Sequence, residues 1–171
     1  MIEIIIVAAI AVVLFVASRL MAAEDTGVTV PDNCILVGGQ HPAYIYMVAE
    51  GAITPGDNVE PGSVAASEVK ACDASAEEFT GTADKNDDAV LDGNDPMTHD
   101  FATGEVVPVI TGPCLVRKIA EGVVANGKIV RPGTTAGTAC LADATSTAKY
   151  TIGRCVSWSV TDGNAFVMRQ F

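Results

Sequence analysis

An internal repeat constrains the fold of this chain more than any other feature of its sequence. The segment 42–62 aligns without a gap with the segment 113–133, and the coincident positions include a proline, the tripeptide Ala-Glu-Gly, a valine and a Pro-Gly pair. Self-similarity at a fixed offset indicates a duplicated structural unit. We therefore predict two related modules, residues 28–101 and 102–171, preceded by a separate N-terminal segment, residues 1–27.

Each copy has the pattern of short β-strands. Apolar runs alternate with Pro-Gly and Asn-Gly turns, and no segment after residue 27 has sustained helical periodicity. In the second module this pattern predicts strands over 115–119, 139–142, 150–156 and 165–169. The predicted fold class is mainly β, with an N-terminal hydrophobic α-helix followed by two duplicated small β-barrel or sandwich modules.

The N-terminal segment is strongly apolar. Residues 4–18 carry no charge and the apolar character continues to residue 23, which is about the length of a helix that crosses a bilayer. A helix that is apolar on every side must be buried in lipid or among other helices. The residues that we expect to make these contacts are Ile4, Ile6, Val7, Ile10, Val13, Leu14 and Phe15.

Two roles for this helix remain open, a membrane anchor and the core of a filament. A cleaved signal peptide is disfavoured because Glu3, and no Lys or Arg, precedes the apolar run. The segment 2–10, in which this glutamate precedes a long apolar run, resembles the start of type IV pilins. That resemblance implies a filament in which the helix packs against sister helices.

An acidic segment, residues 84–95, has the spacing of a calcium loop. Oxygen ligands at alternate positions of a tight loop suit a hard cation, and the segment resembles the loops of EF-hand and dockerin proteins. The resemblance assigns the ligands to Asp84, Asn86, Asp88, the Val90 carbonyl, Asp92 and Asp95, with Leu91 as an apolar anchor. The alternative is a solvated acidic connector, since Asp and Asn also favour turns.

The net charge and the absence of catalytic motifs disfavour two classes of function, nucleic-acid binding and catalysis. With 10 Lys and Arg against 21 Asp and Glu the formal net charge is −11, which disfavours nucleic acid as a partner. The two histidines, His41 and His99, belong to no motif for a nucleophile, a zinc site or a phosphate loop. We therefore expect no enzyme and no cofactor other than calcium.

The cysteines and exposed aromatic positions give weaker expectations. The five cysteines are widely spaced without a Cys-x-x-Cys pair, so they predict either disulfides of open pairing or small buried residues. Tyr44 and Tyr46 alternate on one strand face and could contact the helix or a neighbouring subunit. Trp158, on a predicted strand, is expected to pack in the core or between subunits.

The second module also carries a family resemblance. The succession of Gly122, Gly127, the pair 132–133 and the segment 153–156 resembles the small β domains of tailed-virus capsid decoration proteins. The resemblance implies a protein without catalytic residues that binds a capsid lattice as cement.

These observations together predict a non-enzymatic structural subunit of a virion or of a cell-surface assembly. The expected partners are further copies of the chain or capsid lattice proteins, with a lipid bilayer or sister helices around residues 1–23. The β modules would lie outside the cytoplasm. Two alternatives stay open: a pilin-like filament subunit, and a membrane-anchored module that binds a glycan or peptide through its loops.

Overall fold

The computed structural model describes residues 34–38, 42–72, 78–135, 137–141 and 150–171. The predicted helix of residues 1–27, with all its assigned contact residues, lies outside this part of the chain. Of the five cysteines, the side chain of Cys140 is also outside it.

The described residues form β-strands and one 3₁₀-helix. The strands are β1 (Leu36–Gly38), β2 (Ala43–Ala49), β3 (Asn58–Pro61), β4 (Glu68–Ala71), β5 (Gly81–Ala83), β6 (Val106–Thr111), β7 (Leu115–Ala120), β8 (Ile129–Pro132), β9 (Thr138–Leu141), β10 (Gly153–Cys155) and β11 (Ala165–Gln170), and the 3₁₀-helix is Asp87–Asp92. The prediction of a mainly β fold is confirmed, and the strand predicted over 150–156 is shorter than expected.

The first set of strands closes into a barrel in the order β2-β4-β3-β5-β6. Strand β2 is antiparallel to β6 over its first six residues and parallel to β4 only at its end, where Val48 and Ala49 face Glu68 and Val69. The barrel core is made of small and β-branched side chains, among them Val59, Val69 and Val107. Such side chains pack well on a pleated surface.

The second sheet repeats this pattern of pairings. Its order is β1-β7-β11-β10-β8-β9, and an additional pairing between β7 and β9 joins the ends of its last five strands. As in the barrel, that joining pair is parallel, with Ile119 and Ala120 facing Thr138 and Ala139. The aligned segments of the sequence thus occupy equivalent strands, and the repeat extends to strands whose sequences do not align.

The strands divide the chain at a different place from the predicted modules. Strand β6 lies beyond the predicted boundary at residue 101, yet it pairs with both β2 and β5 and completes the first barrel. Its counterpart is β11, which completes the second ring by pairing with β10 and β7. The sequence match stops at residue 62, so it carries no information about where the last strand of each set lies.

Two matched residues of the repeat have a structural role. The carboxylate of Glu50 accepts hydrogen bonds from the backbone and hydroxyl of Ser63, in the loop after β3. In the second set, Glu121 accepts equivalent bonds from Thr134, with N–O and O–O distances of 2.8 and 2.7 Å. At Gly62 a Cβ would lie 2.7 Å from the Glu50 carboxylate, which explains the shared Pro-Gly. The Ala-Glu-Gly and Pro-Gly matches are therefore two halves of one loop cap.

Polar side chains join the two sets of strands. Gln170 donates to the carbonyl of Ile110 at 3.0 Å and accepts a hydrogen bond from Thr82 at 2.8 Å. The amide of Asn58 donates to the carbonyl of Thr138 at 2.9 Å. Buried hydrogen bonds are lost at high cost when one partner is removed, so these contacts fix how the two sets pack.

Candidate assembly surface

The outer face of β2 is an exposed, largely apolar part of the first barrel. The first four residues of β2 are exposed, and Tyr46 retains 72% of its accessible surface. Tyr46 faces Pro108 across the β2–β6 pair, and Val106, itself exposed, lies at the far end of that pair. These residues form a continuous apolar strip on one face.

The same strip borders a cleft of about 370 Å³. The cleft is lined by Tyr44, Tyr46, Phe101, Val106 and Pro108 on one side and by residues 84–88 on the other. The hydroxyl of Tyr44 donates to Asp84 Oδ2 at 2.8 Å. Burial, together with this bond to an acceptor carboxylate, raises the pKa of Tyr44 above its usual range. The tyrosine therefore stays a neutral donor and fixes the acidic loop against the barrel.

The backbone of β2 has a second open feature, its edge. Ala49 donates to Glu105 on the β6 side, whereas Val48 donates to Ser67 on the β4 side. Because backbone groups alternate along a strand, the N–H and C=O groups of Tyr44 and Tyr46 point away from β6. Among the described residues β4 reaches only the end of β2, so no strand of this part of the chain covers that edge at Tyr44 and Tyr46.

The equivalent edge of the second set is occupied. Strand β1 lies antiparallel against the start of β7, with Leu36 facing Val116 and Gly38 facing Leu115. The backbone N–H of Arg117, the counterpart of Tyr46, donates to the carbonyl of Ile35 at 2.8 Å. Strand β7 consequently alternates between half-buried and fully buried residues, whereas β2 is open over the same stretch.

The acidic segment is an insertion within the first barrel, between β5 and β6. Just before the insertion, the backbone N–H of Asp84 donates to Pro108, and at the equivalent position of the second set the N–H of Val156 donates to Val167. After the insertion, the isolated β-bridges at Phe101 and at Val160 are a second pair of equivalent positions. Residues 85–100 therefore stand where residues 157–159 stand in the second set. The segment therefore lies within the first set of strands and does not connect the two sets.

The predicted calcium ligands do not converge in this structure. Asp84 accepts bonds from Tyr44 and from the backbone of Lys85, and Asn86 donates to the carbonyl of Asp100 at 3.5 Å. The other proposed ligands, Asp88, Val90, Asp92 and Asp95, lie on or just after the 3₁₀-helix. Within the described ranges, which include all six, no three His, Cys, Asp or Glu side chains are grouped closely enough to hold a metal ion.

One part of the calcium-loop prediction is wrong. Leu91 was expected to anchor the loop, but it is 85% exposed, while Ala89 is the buried residue of the 3₁₀-helix. Calcium binding itself stays a prediction from the sequence, without support from the geometry.

Lys118 is the charged residue that the sequence patterns did not reveal. It lies on β7 with 1% of its surface exposed, and its Nζ donates to the carbonyl of Gly56 at 2.9 Å. Burial lowers the pKa of Lys118 to about 7, against the attraction of Asp57. Its counterpart on β2 is the apolar Met47. Only the comparison of the two copies could have shown that this position faces inward.

The remaining predicted residues have plain structural positions. Cys114 and Cys155 are buried thiols, and burial raises the pKa of each. Trp158 lies after β10 and not on a strand, and it is 58% exposed, which contradicts a place in the core, while the alternative, a contact between subunits, stays a prediction. His41 lies outside the described residues and His99 is exposed on the acidic insertion. In the part of the chain that the structure covers, no helix is long and apolar enough to span a membrane.

Comparisons with known proteins find a similar solved structure but no protein family. No protein-family model matches the chain, and a search of the curated proteins finds no match. Among solved structures, the chain is similar to the N base of the head fiber gp8.5 of bacteriophage phi29, with a TM-score of 0.49 and 16% sequence identity. The similarity covers 77% of this chain and 95% of the phage chain.

Proposed function

We propose that this protein is a non-enzymatic structural subunit of a virion or other extracellular assembly, with the β body forming lateral contacts and the N-terminal apolar segment supplying attachment. The observation that supports this most directly is the open face and edge of β2, which expose tyrosines and uncharged backbone groups on an otherwise well-packed barrel. Exposed apolar patches with a polar surround are typical of interaction sites. The phage head fiber base is the kind of protein to which this proposal assigns the chain.

The architecture of the two sets of strands suits a structural role. Two rings of strands with the same pairings are held to each other by buried hydrogen bonds, so the pair can transmit load as one unit. The acidic segment, residues 84–95, and the net charge of −11 keep the remaining surface soluble and discourage indiscriminate association. Contacts are therefore expected at defined faces only.

Electron microscopy of the native assembly, prepared without detergent, tests this proposal. Closed particles with the β bodies on the outside would support a coat or decoration protein. Filaments with density at the axis would select the pilin-like alternative, in which residues 1–23 form the core. A chain that is dispersed and monomeric in its native source would contradict the structural role altogether.

The cleft beside Tyr44 supports a second candidate function, a binding module for a glycan or peptide. Two tyrosines next to carboxylate and amide side chains offer stacking surfaces and hydrogen-bond partners within one concave site. Binding of a glycan panel or of a cell-wall extract to the full chain, lost in Tyr46→Ala and retained in Trp158→Ala, would favour this candidate. Equal retention by both variants would reject it.

A further inference from the structure

We propose that the open edge of β2 pairs with β2 of a second copy of this chain, antiparallel and centred on Ile45. This inference rests on the proposed structural role, because it identifies self-contact as one of the lateral contacts. It makes β2 a site of strand addition between subunits.

The chain contains its own precedent for an occupied edge. At the matching place on β7 an antiparallel strand, β1, is seated, and Arg117 donates to Ile35. Since β2 and β7 are equivalent strands of the repeat, the geometry that accepts a strand on β7 is present on β2. What differs is that the described residues place no strand there.

The backbone pattern determines the register of such a pair. Tyr44 and Tyr46 are the residues whose N–H and C=O groups face the open edge, and Ile45 lies between them. In a two-fold symmetric pair, Tyr44 of one copy faces Tyr46 of the other, and each facing pair exchanges two hydrogen bonds. The tyrosine side chains of both copies then lie on one face, where cross-strand aromatic pairs are stabilising.

The uncharged sequence of the β2 edge and its two-fold register favour another copy as the occupant. The protein carries a net charge of −11, so two copies repel each other over most of their surfaces. The stretch from Ala43 to Met47 has no charged residue, so the paired strands themselves place no like charges directly opposite each other, while the carboxylates of residues 84–88 beside the tyrosines oppose the approach and limit its strength. A five-residue pairing is short, so we expect it to be weak between free chains and effective where the assembly raises the local concentration.

Hydrogen exchange in the native assembly of the full chain is the direct test. We expect the amides of Tyr44 and Tyr46 to exchange about 100-fold more slowly in the assembly than in dispersed chains, because they become bonded only on association. The Arg117 amide, bonded within each chain, is the internal control and should be protected in both states. Free exchange of Tyr44 and Tyr46 in an intact assembly overturns the pairing while leaving the structural role standing. Equal protection in dispersed chains also overturns it.

A charged substitution tests the same edge independently. Tyr46→Lys places an ammonium beside the pair, where the exposed side chain tolerates the change but strand addition does not. We expect self-association measured by sedimentation velocity to weaken at least 10-fold. Val64→Lys places the same ammonium at an exposed apolar residue away from β2, which is 79% exposed, and should leave association unchanged. Equal effects of the two variants, or none, would reject β2 as the contact.

Discussion

The buried ammonium of Lys118 gives the most quantitative prediction of the structure. Its pKa lies at about 7 in the folded chain, against an ordinary value of 10.5. Between these values the unfolded chain binds one proton more than the folded chain, so the free energy of unfolding must rise with pH. The group loses most of its charge in the folded state across this window, and its neutral amine still donates to Gly56.

The size of the effect follows from the titration. Above pH 7 the slope approaches about 1.4 kcal/mol per pH unit, so the free energy of unfolding should increase by about 1.6 kcal/mol between pH 7.0 and 8.5. The expected rise is limited to the range below about pH 8.5, because burial raises the pKa of the Cys114 and Cys155 thiols in the folded chain. Thiols that ionise only in the unfolded chain oppose the rise at higher pH. The groups that face the ammonium are Asp57, Cys72 and Cys114.

Lys118→Met is the perturbation that isolates this group. Methionine fills similar space and is the residue that the first set has at the equivalent position, Met47. We expect the variant to lose the pH dependence between 7.0 and 8.5, as measured by urea unfolding at both pH values. Lys128→Met removes an exposed lysine and should keep it. A wild-type free energy of unfolding that is flat over this window, or an equal slope in Lys118→Met, would refute the argument.

Three further predictions follow from the loop cap, from a close backbone approach and from the acidic insertion. Partial burial would raise the pKa of Glu121, but hydrogen bonds from Thr134, Thr135 and Thr138 outweigh it and lower the pKa to about 2. Glu121→Gln should therefore cost about 1–2 kcal/mol in urea unfolding at pH 7, whereas the control Glu78→Gln should have no measurable effect. That stabilisation should fade as the pH falls below the ordinary value of 4.5 toward 2. At Gly153 a Cβ would overlap the backbone carbonyl oxygen of Arg169 and lie 2.6 Å from Met168 Cγ, so Gly153→Ala should cost about 2 kcal/mol in urea unfolding, whereas Gly51→Ala, with open space around it, should be neutral. If the acidic loop binds calcium as its sequence predicts, calcium will raise the melting temperature and Asp84→Ala with Asp88→Ala will abolish the rise; an unchanged melting curve contradicts the site.

The repeat in the sequence predicted more of the fold than any other signal, and its limits are physical. Glu50 and Glu121, with their Pro-Gly partners, are kept alike because the loop cap needs a carboxylate and leaves no room for a Cβ. Strands β6 and β11 keep their pairings without keeping their sequence, since a strand needs only an alternating pattern to fit a barrel. The boundary drawn from the aligned part alone therefore fell before β6.

The candidate site was only partly visible in the sequence. Tyr44 and Tyr46 were recognised as neighbours on one face, because alternation along a strand is a local property. That their backbone faces an open edge could not be predicted, since it depends on where β4 and β1 lie. The acidic spacing from Asp84 indicated metal ligands, but the segment forms a 3₁₀-helix that turns its side chains to different sides.

The differences between the two sets of strands are concentrated around one position of the repeat. In the second set the edge of β7 is covered, its residues are half-buried or fully buried, and Lys118 contacts the first set. In the first set the same edge is open, exposed tyrosines stand where the second set has the half-buried Leu115 and Arg117, and a long acidic insertion lies beside them. One copy has thus become an internal support and the other presents its strand. Duplication explains how both arose from one template, because a closed ring of five strands tolerates either outcome at the edge where its first strand meets its third.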